Sequence, residues 1–253
     1  ALALARHGAR VVVNDLGDQA SDVVRDIHEQ GGEAQVSCGS VVTEAFEMVQ
    51  VALERWGRLD AVVNNAGVLR DRSFGKMTDR EWFDVIDVHL TGTRNVIRAA
   101  LPALRAHGGA IINTTSLSGL LGRNFGQTNY SAAKAAVYGL TLTLSVELAR
   151  YGVRCNCIAP VARTSMTQAL PEDRVPTSWS PDFVAPVVVW LASDLAAHVT
   201  GKVIGVAGPR VFAYEMRVGE GIISDESVPF TPLELAERAA QVLSVKTPES
   251  SPR

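Results

Sequence analysis

Apolar and polar positions follow two patterns along the chain, and each pattern predicts one kind of element. Short runs of consecutive apolar residues, such as 11–13 and 61–63, predict strands that are buried on both faces of a parallel sheet. Between these runs lie longer stretches of helical character, such as 43–56. Strands that alternate with helices predict an α/β fold, a doubly wound parallel sheet in a single domain.

Start and stop signals divide the pattern into elements. Thr78 and Glu81 have the spacing of a capping box, which predicts a long helix that begins there and runs to about Ala106. Other helices are predicted at 1–7, 16–30, 43–56, 125–152 and 184–192, and strands at 11–15, 31–38, 58–63, 108–116, 153–159 and 201–208. We expect residues 1–212 to form the domain and residues 213–253 to form a C-terminal extension on the surface.

The amino-acid composition restricts the kinds of ligand that are expected. The 253 residues are 47% hydrophobic and carry a formal net charge of -3, so a large core is expected and no basic field favours nucleic acid or an anionic membrane. No apolar run reaches the length of a membrane span, about 18 residues. We therefore expect a small-molecule ligand.

The three cysteines, Cys38, Cys155 and Cys157, do not have the spacing of a disulfide scaffold. This usage fits a reducing compartment and predicts a cytoplasmic protein. Cys155 and Cys157 lack a histidine and cysteine cluster that would complete a metal site, so we interpret them as core residues and predict no metal.

Polar groups follow two of the predicted strands at the end where parallel sheets bind ligands. Asp15 ends the strand at 11–15, where a carboxylate of a dinucleotide-binding fold accepts hydrogen bonds from a ribose and repels a 2′-phosphate. This position predicts NAD, although "NDLG" is also an ordinary turn sequence. The second group, "VVNNAG", combines amide side chains with Gly67, where the backbone can approach a ligand closely.

Tyr130 and Lys134 in "NYSAAK" lie four residues apart on a predicted helix and so share one face. A nearby ammonium stabilises phenolate, so Lys134 is expected to lower the pKa of Tyr130 toward a value that suits a general base. Ser116, just past a strand end in "NTTSLSG", could hydrogen-bond a substrate oxygen. Each residue alone has an ordinary structural explanation, but the combination in this order points to proton-transfer chemistry.

The motifs "VVNNAG", "SLSG", "NYSAAK" and "CIAP" resemble those of the short-chain dehydrogenase/reductase family in order and spacing, over nearly the whole chain to about Gly208. More narrowly, "VVVNDLG", "NNAGVLRDRSFGKMTDREW", "DVHLTGT", "NFGQTNYSAAK" and "PDFVAPVVVWLAS" are similar to the (3R)-hydroxyacyl-CoA dehydrogenase unit of multifunctional enzyme type 2. The resemblance implies an enzyme of fatty acid metabolism that associates into dimers or tetramers.

The resemblance also implies a role for each matching residue. Tyr130 would be the general acid/base, Lys134 would bind the nicotinamide ribose, and Ser116 would orient the reacting oxygen. The other cofactor-binding positions would be Asp15 at the adenosine ribose, Ser40 near the adenine, Asn65, Ala66 and Gly67 along the cofactor cleft, and Thr164 near the nicotinamide amide.

Three positions depart from the family pattern. Ser116 lies fourteen residues before Tyr130, one more than is usual, and the extra residue falls around Arg123. His89 stands where many members have an asparagine that supports a proton relay, and we interpret it as a helix histidine satisfied by backbone. Gly39 replaces an aspartate that contacts adenine, which leaves the backbone and Ser40 to reach the ring.

The main hypothesis is an NAD-dependent dehydrogenase that oxidises a secondary alcohol, a 3-hydroxyacyl thioester, to the ketone. One alternative is a 3-oxoacyl or other carbonyl reductase, and another is a catalytically weak structural or cofactor-sensing member. In this fold the stretch at 1–7 is the first crossover helix. We therefore expect the chain to lack the first strand and the Gly-rich turn that cradles the pyrophosphate, about 20 residues, which would leave two unpaired strand edges.

Overall fold

A computed structural model of the chain describes residues 1–122, 124–168, 170–224 and 228–244. One compact unit spans Ala1–Tyr214, and a second begins at Glu215. The helices of the first unit are α1 (Leu2–Arg6), α2 (Gln19–Glu29), α3 (Ala45–Trp56), α4 (Asp79–Ile86), α5 (Thr93–His107), α6 (Leu117–Leu121), α7 (Thr128–Glu147) and α8 (Ala185–Ala192). Its strands are β1 (Val11–Asp15), β2 (Ala34–Cys38), β3 (Ala61–Asn64), β4 (Gly109–Thr114), β5 (Val153–Val161), β6 (Val203–Ala207) and β7 (Arg210–Tyr214).

The strands form two sheets. β1 pairs with β2 in one parallel pair, and β3-β4-β5-β6-β7 form the other sheet, which is parallel except for β7. No strand of the described residues joins β1 to β3, so each of these two strands has a partner on one side only. The alternating, parallel α/β architecture that the sequence predicts is confirmed, whereas the antiparallel strand β7 was not predicted.

Helices cover both faces of the five-stranded sheet. On one face, Val62 and Ile111 of neighbouring strands pack against Ile97 and Leu104 of α5. On the other face, Ile112, Ile158 and Val206 pack against Leu191 of α8. The cysteines Cys155 and Cys157 are fully buried between these layers, which confirms their interpretation as core residues.

The helix predicted from Thr78 begins as expected. Glu81 donates its backbone N–H to Thr78 Oγ1 at 3.2 Å, and Glu81 Oε2 accepts the Thr78 N–H at 2.9 Å, which is a complete capping box. The helix then contains a π-helical turn, Asp87–Gly92, between α4 and α5. A π-turn inserts an extra residue and rotates the side chains that follow it, and it often lies at a functional site.

The second unit contains two short helices in its described part, α9 (Pro232–Glu237) and α10 (Ala239–Val242). A second capping box, Thr231 with Glu234, starts α9. The strand β7 extends to Tyr214, past the position where the sequence analysis expected the surface extension to begin.

Candidate active site

The carboxyl ends of β3 and β4 lie side by side because the two strands are parallel neighbours. Asn64 Nδ2 donates to Asn113 Oδ1 at 2.8 Å, and Thr114 Oγ1 donates to Asn65 Oδ1 at 3.3 Å. The loops that begin after these strands carry Asn65–Gly67 and Ser116, so the register of β3 on β4 places both predicted groups at one edge of the sheet.

Lys134 of α7 reaches this edge from a buried position. It is 4% exposed, and its Nζ donates to the Thr114 carbonyl oxygen at 2.6 Å. Thr115 Oγ1 in turn donates to the Lys134 backbone oxygen at 2.7 Å, which fixes α7 against the end of β4. Burial lowers the pKa of Lys134 to about 8, so the side chain remains mainly cationic at neutral pH.

The Tyr130 ring lies beside this ammonium, with Lys134 Nζ 5.7 Å from the ring centroid. Burial raises the pKa of Tyr130, a hydrogen bond with Ser116 lowers it, and the negative charge of Asp71 raises it. The expected lowering of the Tyr130 pKa is therefore wrong for this structure. The physical reason is that burial of the phenol, which disfavours the charged phenolate, is the largest contribution to its pKa.

Ser116 caps the short helix α6, and its Oγ accepts the backbone N–H of Ser118 at 3.2 Å. Ser118 is buried and takes part in a different network, since its Oγ donates to Gln127 Oε1 at 3.0 Å and accepts from Asn124 Nδ2 at 2.7 Å. The structure thus brings Ser116, Tyr130 and Lys134 together, while the hydroxyl of Ser118 in α6 binds side chains of the loop between α6 and α7.

That loop accommodates the longer spacing between Ser116 and Tyr130. Gly122 and Gly126 have φ values of +60° and +82°, which L side chains rarely adopt. The Arg72 backbone N–H donates to the Gly126 carbonyl at 2.8 Å and so ties the loop to the segment after β3. Arg123, where the extra residue was expected, lies outside the described residues.

His89 lies in the π-helical turn and is 2% exposed. Its Nε2 is 2.8 Å from the Val68 carbonyl oxygen, which confirms the predicted contact with backbone, while Nδ1 has no partner among the described residues. The imidazole packs edge-on against the Tyr130 ring with centroids 5.1 Å apart. Burial and the nearby charge of Lys134 lower the pKa of His89 to about 4, so the ring is neutral at pH 7.

The lack of a side chain at Gly67 leaves room for the His89 imidazole. A Cβ at Gly67 would lie 2.5 Å from His89 Cε1, so only glycine leaves room for the imidazole. Ala66 and Gly67 are otherwise exposed at the end of β3. Thr164, in the loop after β5, is exposed, and its backbone N–H donates to Thr167 Oγ1 at 2.8 Å.

Asp15 and Ser40 lie at the carboxyl end of the β1–β2 sheet. Asp15 is exposed, and its Oδ1 accepts the Gly17 N–H at 3.3 Å. Ser40 Oγ accepts the Val42 N–H at 3.1 Å, and the Ser40 N–H donates to Glu44 Oε2 at 2.6 Å. A Cβ at Gly39 would lie 2.9 Å from the Glu44 Cβ, so a larger residue at this position would displace Glu44.

The sequence analysis did not single out two groups that the structure places near Tyr130. Asn129 is fully buried, and its Nδ2 donates to the carbonyl oxygens of Arg70 at 3.1 Å and Glu81 at 2.9 Å. Asp71 acts on Tyr130 through its charge. The closely spaced charges of "RDRSF" could have pointed to Asp71. The contacts of Asn129 join residues about 50 positions apart, so no local sequence pattern could have predicted them.

In the described part of the chain, no group of three or more histidine, cysteine, aspartate and glutamate side chains is arranged to hold a metal ion. Among the same residues, no helix combines the length and the apolar character that a membrane crossing requires.

A buried lysine beside a tyrosine and a serine, at the carboxyl edge of a parallel α/β sheet, defines a class of dehydrogenases and reductases. Comparison with known proteins agrees with this class. A family model described as enoyl-(acyl carrier protein) reductase matches residues 1–208. A crystal structure of a short chain dehydrogenase from Mycobacterium avium is similar with a TM-score of 0.85 and 41% identity, over 96% of this chain and 89% of that one.

Two relatives extend the comparison. A putative short-chain type dehydrogenase/reductase of Mycobacterium tuberculosis is 40% identical over 96% of this chain and 88% of its own length. The peroxisomal multifunctional enzyme type 2 of Mus musculus is 42% identical over 92% of this chain and 33% of its own length. The chain spans between 23% and 57% of the multifunctional relatives it matches. The chain belongs to the short-chain dehydrogenase/reductase family and is an oxidoreductase.

Proposed function

We propose that the protein is an NAD-dependent dehydrogenase that oxidises a secondary alcohol to a ketone, with a 3-hydroxyacyl thioester as substrate. The observation that carries the proposal is the Tyr130 phenol held between Ser116 and the buried Lys134. The thioester is supported by relatives named hydroxyacyl-CoA dehydrogenase and multifunctional enzyme type 2.

The residues at the strand ends fit a nicotinamide cofactor. Asp15 is exposed and binds one neighbouring backbone N–H, so its carboxylate retains capacity to accept ribose hydroxyls and would repel a 2′-phosphate. Asn65, Ala66 and Gly67 would line the cofactor cleft, Ser40 would lie near the adenine, and Thr164 would lie near the nicotinamide amide. The bound cofactor supplies a hydride acceptor.

In this mechanism the protein accepts one proton from the substrate hydroxyl and orients the substrate oxygen. Ser116 donates a hydrogen bond to the substrate oxygen and orients it. Tyr130 accepts the hydroxyl proton, and the Lys134 cation stabilises the phenolate that precedes this step. Since burial raises the pKa of Tyr130, alkaline pH favours oxidation and neutral or acidic pH favours the reverse reduction.

The test is a panel of secondary alcohols that includes 3-hydroxyacyl-CoA, in which the purified protein is assayed for NADH production by absorbance. Tyr130→Phe removes the proton acceptor and is expected to lower kcat by about 10²–10⁴-fold. Tyr151→Phe is the matched control because Tyr151 packs under Arg105 and Arg150, away from Ser116 and Lys134. Absence of NADH from every alcohol, with no difference between the two variants, would refute the proposal.

A second candidate is a 3-oxoacyl or other carbonyl reductase, which would use the same residues in the opposite direction. It is favoured by the 3-oxoacyl-[acyl-carrier-protein] reductase of Thermotoga maritima, which is 37% identical over 83% of this chain. Turnover with NADPH that exceeds turnover with NADH would favour this candidate, since Asp15 is expected to disfavour the 2′-phosphate. A third candidate, a cofactor-sensing or structural member, requires nucleotide binding without turnover.

Two further expectations belong to this proposal. The three free cysteines fit a reducing compartment, and we propose the cytoplasm. We also propose a dimer or tetramer that associates through the long helices. Light scattering coupled to size-exclusion chromatography measures the assembly mass directly, and a monomer would contradict this expectation.

A further inference from the structure

The segment after β3 carries a carboxylate without an ion-pair partner, Asp71. Arg70 pairs with Asp84 at 3.2 Å, and Arg72 pairs with Glu81 at 2.6 Å. Asp71, between the two arginines, forms no ion pair within the described residues. Of these three carboxylates, Asp71 is therefore the one without its own cation.

Asp71 is held in place relative to the catalytic hydroxyls. Gln127 Nε2 donates to Asp71 Oδ2 at 2.8 Å, while Gln127 Oε1 accepts from Ser118 Oγ and from Asn124 Nδ2, each at 3.0 Å. Ser118 lies two residues after Ser116. Gln127 lies three residues before Tyr130. The network therefore ties the Asp71 carboxylate to both elements that carry the site.

The Asp71 charge also acts at the reacting position. After burial, the negative charge of Asp71 is the second cause that raises the pKa of the Tyr130 phenol, the group that would exchange a proton with substrate. Lys134 remains cationic while its Nζ donates to Thr114 O, so it attracts a substrate carboxylate equally in the wild type and in Asp71 variants.

We propose that Asp71 is a specificity-determining residue that disfavours a free carboxylate beside the reacting carbon and so selects a neutral thioester or ester over the 3-hydroxy acid. The inference rests on the proposed function, because it places the substrate oxygen at Tyr130. A 3-hydroxy acid carries its carboxylate two carbons from the reacting centre, so it meets the field of Asp71. A thioester at the same position is uncharged, so the negative charge of Asp71 does not repel it. A repulsive group against the wrong substrate is a general source of specificity.

The test compares racemic 3-hydroxybutyrate with its methyl ester, two compounds that differ chiefly in charge. The measured quantity is the ratio of kcat/KM for the acid to kcat/KM for the ester. Any effect of Asp71 on the Tyr130 pKa changes both reactions and cancels in this ratio. Asp71→Asn is expected to raise the ratio by about two- to five-fold, within the range for one exposed charge interaction. The difference is expected to disappear at about 1 M salt, where the screening length is about 3 Å.

Three further variants make the comparison specific. Asp71→Ser removes the same charge and is expected to raise the ratio as well, whereas Asp71→Glu keeps the charge and is expected to keep the wild-type ratio. Asp60→Asn is the matched control because Asp60 precedes β3 at the opposite end of the strand, where it pairs with Arg58. Its ratio is expected to equal that of the wild type.

The outcomes separate this inference from the proposed function. If the wild type oxidises the ester or 3-hydroxyacyl-CoA and the ratio is unchanged in Asp71→Asn and Asp71→Ser, the role of Asp71 is refuted and the proposed function stands. If Asp60→Asn raises the ratio equally, a general charge effect explains the result and the role of Asp71 is again refuted. If no alcohol yields NADH, the proposed function fails and this inference fails with it.

Discussion

At the scale of single residues, burial determines the chemistry of the site. Lys134 and His89 are buried and Tyr130 is partly buried, and burial shifts the pKa of each toward the neutral form. The lysine retains its proton near neutral pH and the histidine loses its proton. The site therefore holds one cation, and a second positive charge beside it is disfavoured.

His89 gives a residue-scale prediction about stability. Its folded pKa of about 4 lies below the ordinary value of 6.5, so the unfolded chain binds more protons between these values. The contribution of neutral His89 to the free energy of unfolding is complete above pH 6.5. As the pH falls toward 4 this contribution is lost, which lowers the free energy of unfolding by up to about 3 kcal/mol. His89→Gln cannot be protonated, so its free energy of unfolding in urea is expected to fall less over this range. Equal pH dependence in both proteins would contradict the prediction.

At the scale of elements, close packing of two helices positions the serine. Gly119 of α6 faces α7 so closely that a Cβ there would lie 2.6 Å from the backbone nitrogen of Ala135. Ser116 caps α6 and Lys134 belongs to α7, so this contact determines how far the serine lies from the Tyr130–Lys134 pair.

Two glycine variants test this packing. Gly119→Ala is expected to lower the free energy of unfolding by about 1–3 kcal/mol through overpacking, and to lower kcat because Ser116 is displaced. Gly139→Ala, in α7, is the matched control, since a Cβ there meets nothing within 4 Å. It is expected to stabilise the protein by about 0.5–1 kcal/mol. Urea unfolding measures both effects, and a Gly119→Ala protein as stable as the wild type would exclude close packing at this contact.

At the scale of the whole molecule, the two sheets differ in the size of the buried clusters that pack against them. The five-stranded sheet is covered on both faces by buried clusters. The β1–β2 pair packs on a smaller cluster centred on Val24, Ile27 and Ala34. Helix α3 contacts β1, β2 and α5, and so connects the two sheets. A two-stranded sheet has little stability of its own, so β1 and β2 depend on these helices.

Hydrogen exchange of this 253-residue chain tests the difference. Backbone amides of β1 and β2 are expected to exchange faster than those of β4 and β5 by about tenfold or more, which corresponds to about 1.4 kcal/mol. The pair β3–β4, which is also parallel, is the internal reference. Mass spectrometry of peptides from each strand measures the rates. Equal protection of both sheets would show that they open as one unit.

The sequence by itself determined the features that depend on near neighbours. Strand and helix periods, the Thr78–Glu81 cap, and the shared face of Tyr130 and Lys134 follow from residues within a few positions of one another, and the fold agrees with them. The π-helical turn at His89 left no periodic signal, because it packs against the distant helix α7. The antiparallel β7 pairs with the preceding strand β6 across two residues, so it is a local hairpin that the sequence analysis missed.

Only the tertiary structure decided the electrostatics of the site. The direction of the Tyr130 pKa depends on how much water α6, α7 and the strand ends exclude, and on the Thr114 carbonyl that receives the Lys134 ammonium. The Asp71–Gln127 hydrogen bond joins residues 56 positions apart. Such contacts are set by the packing of distant segments, which local periodicity does not encode, so the sequence predicted candidate site residues while the fold determined their charge environment.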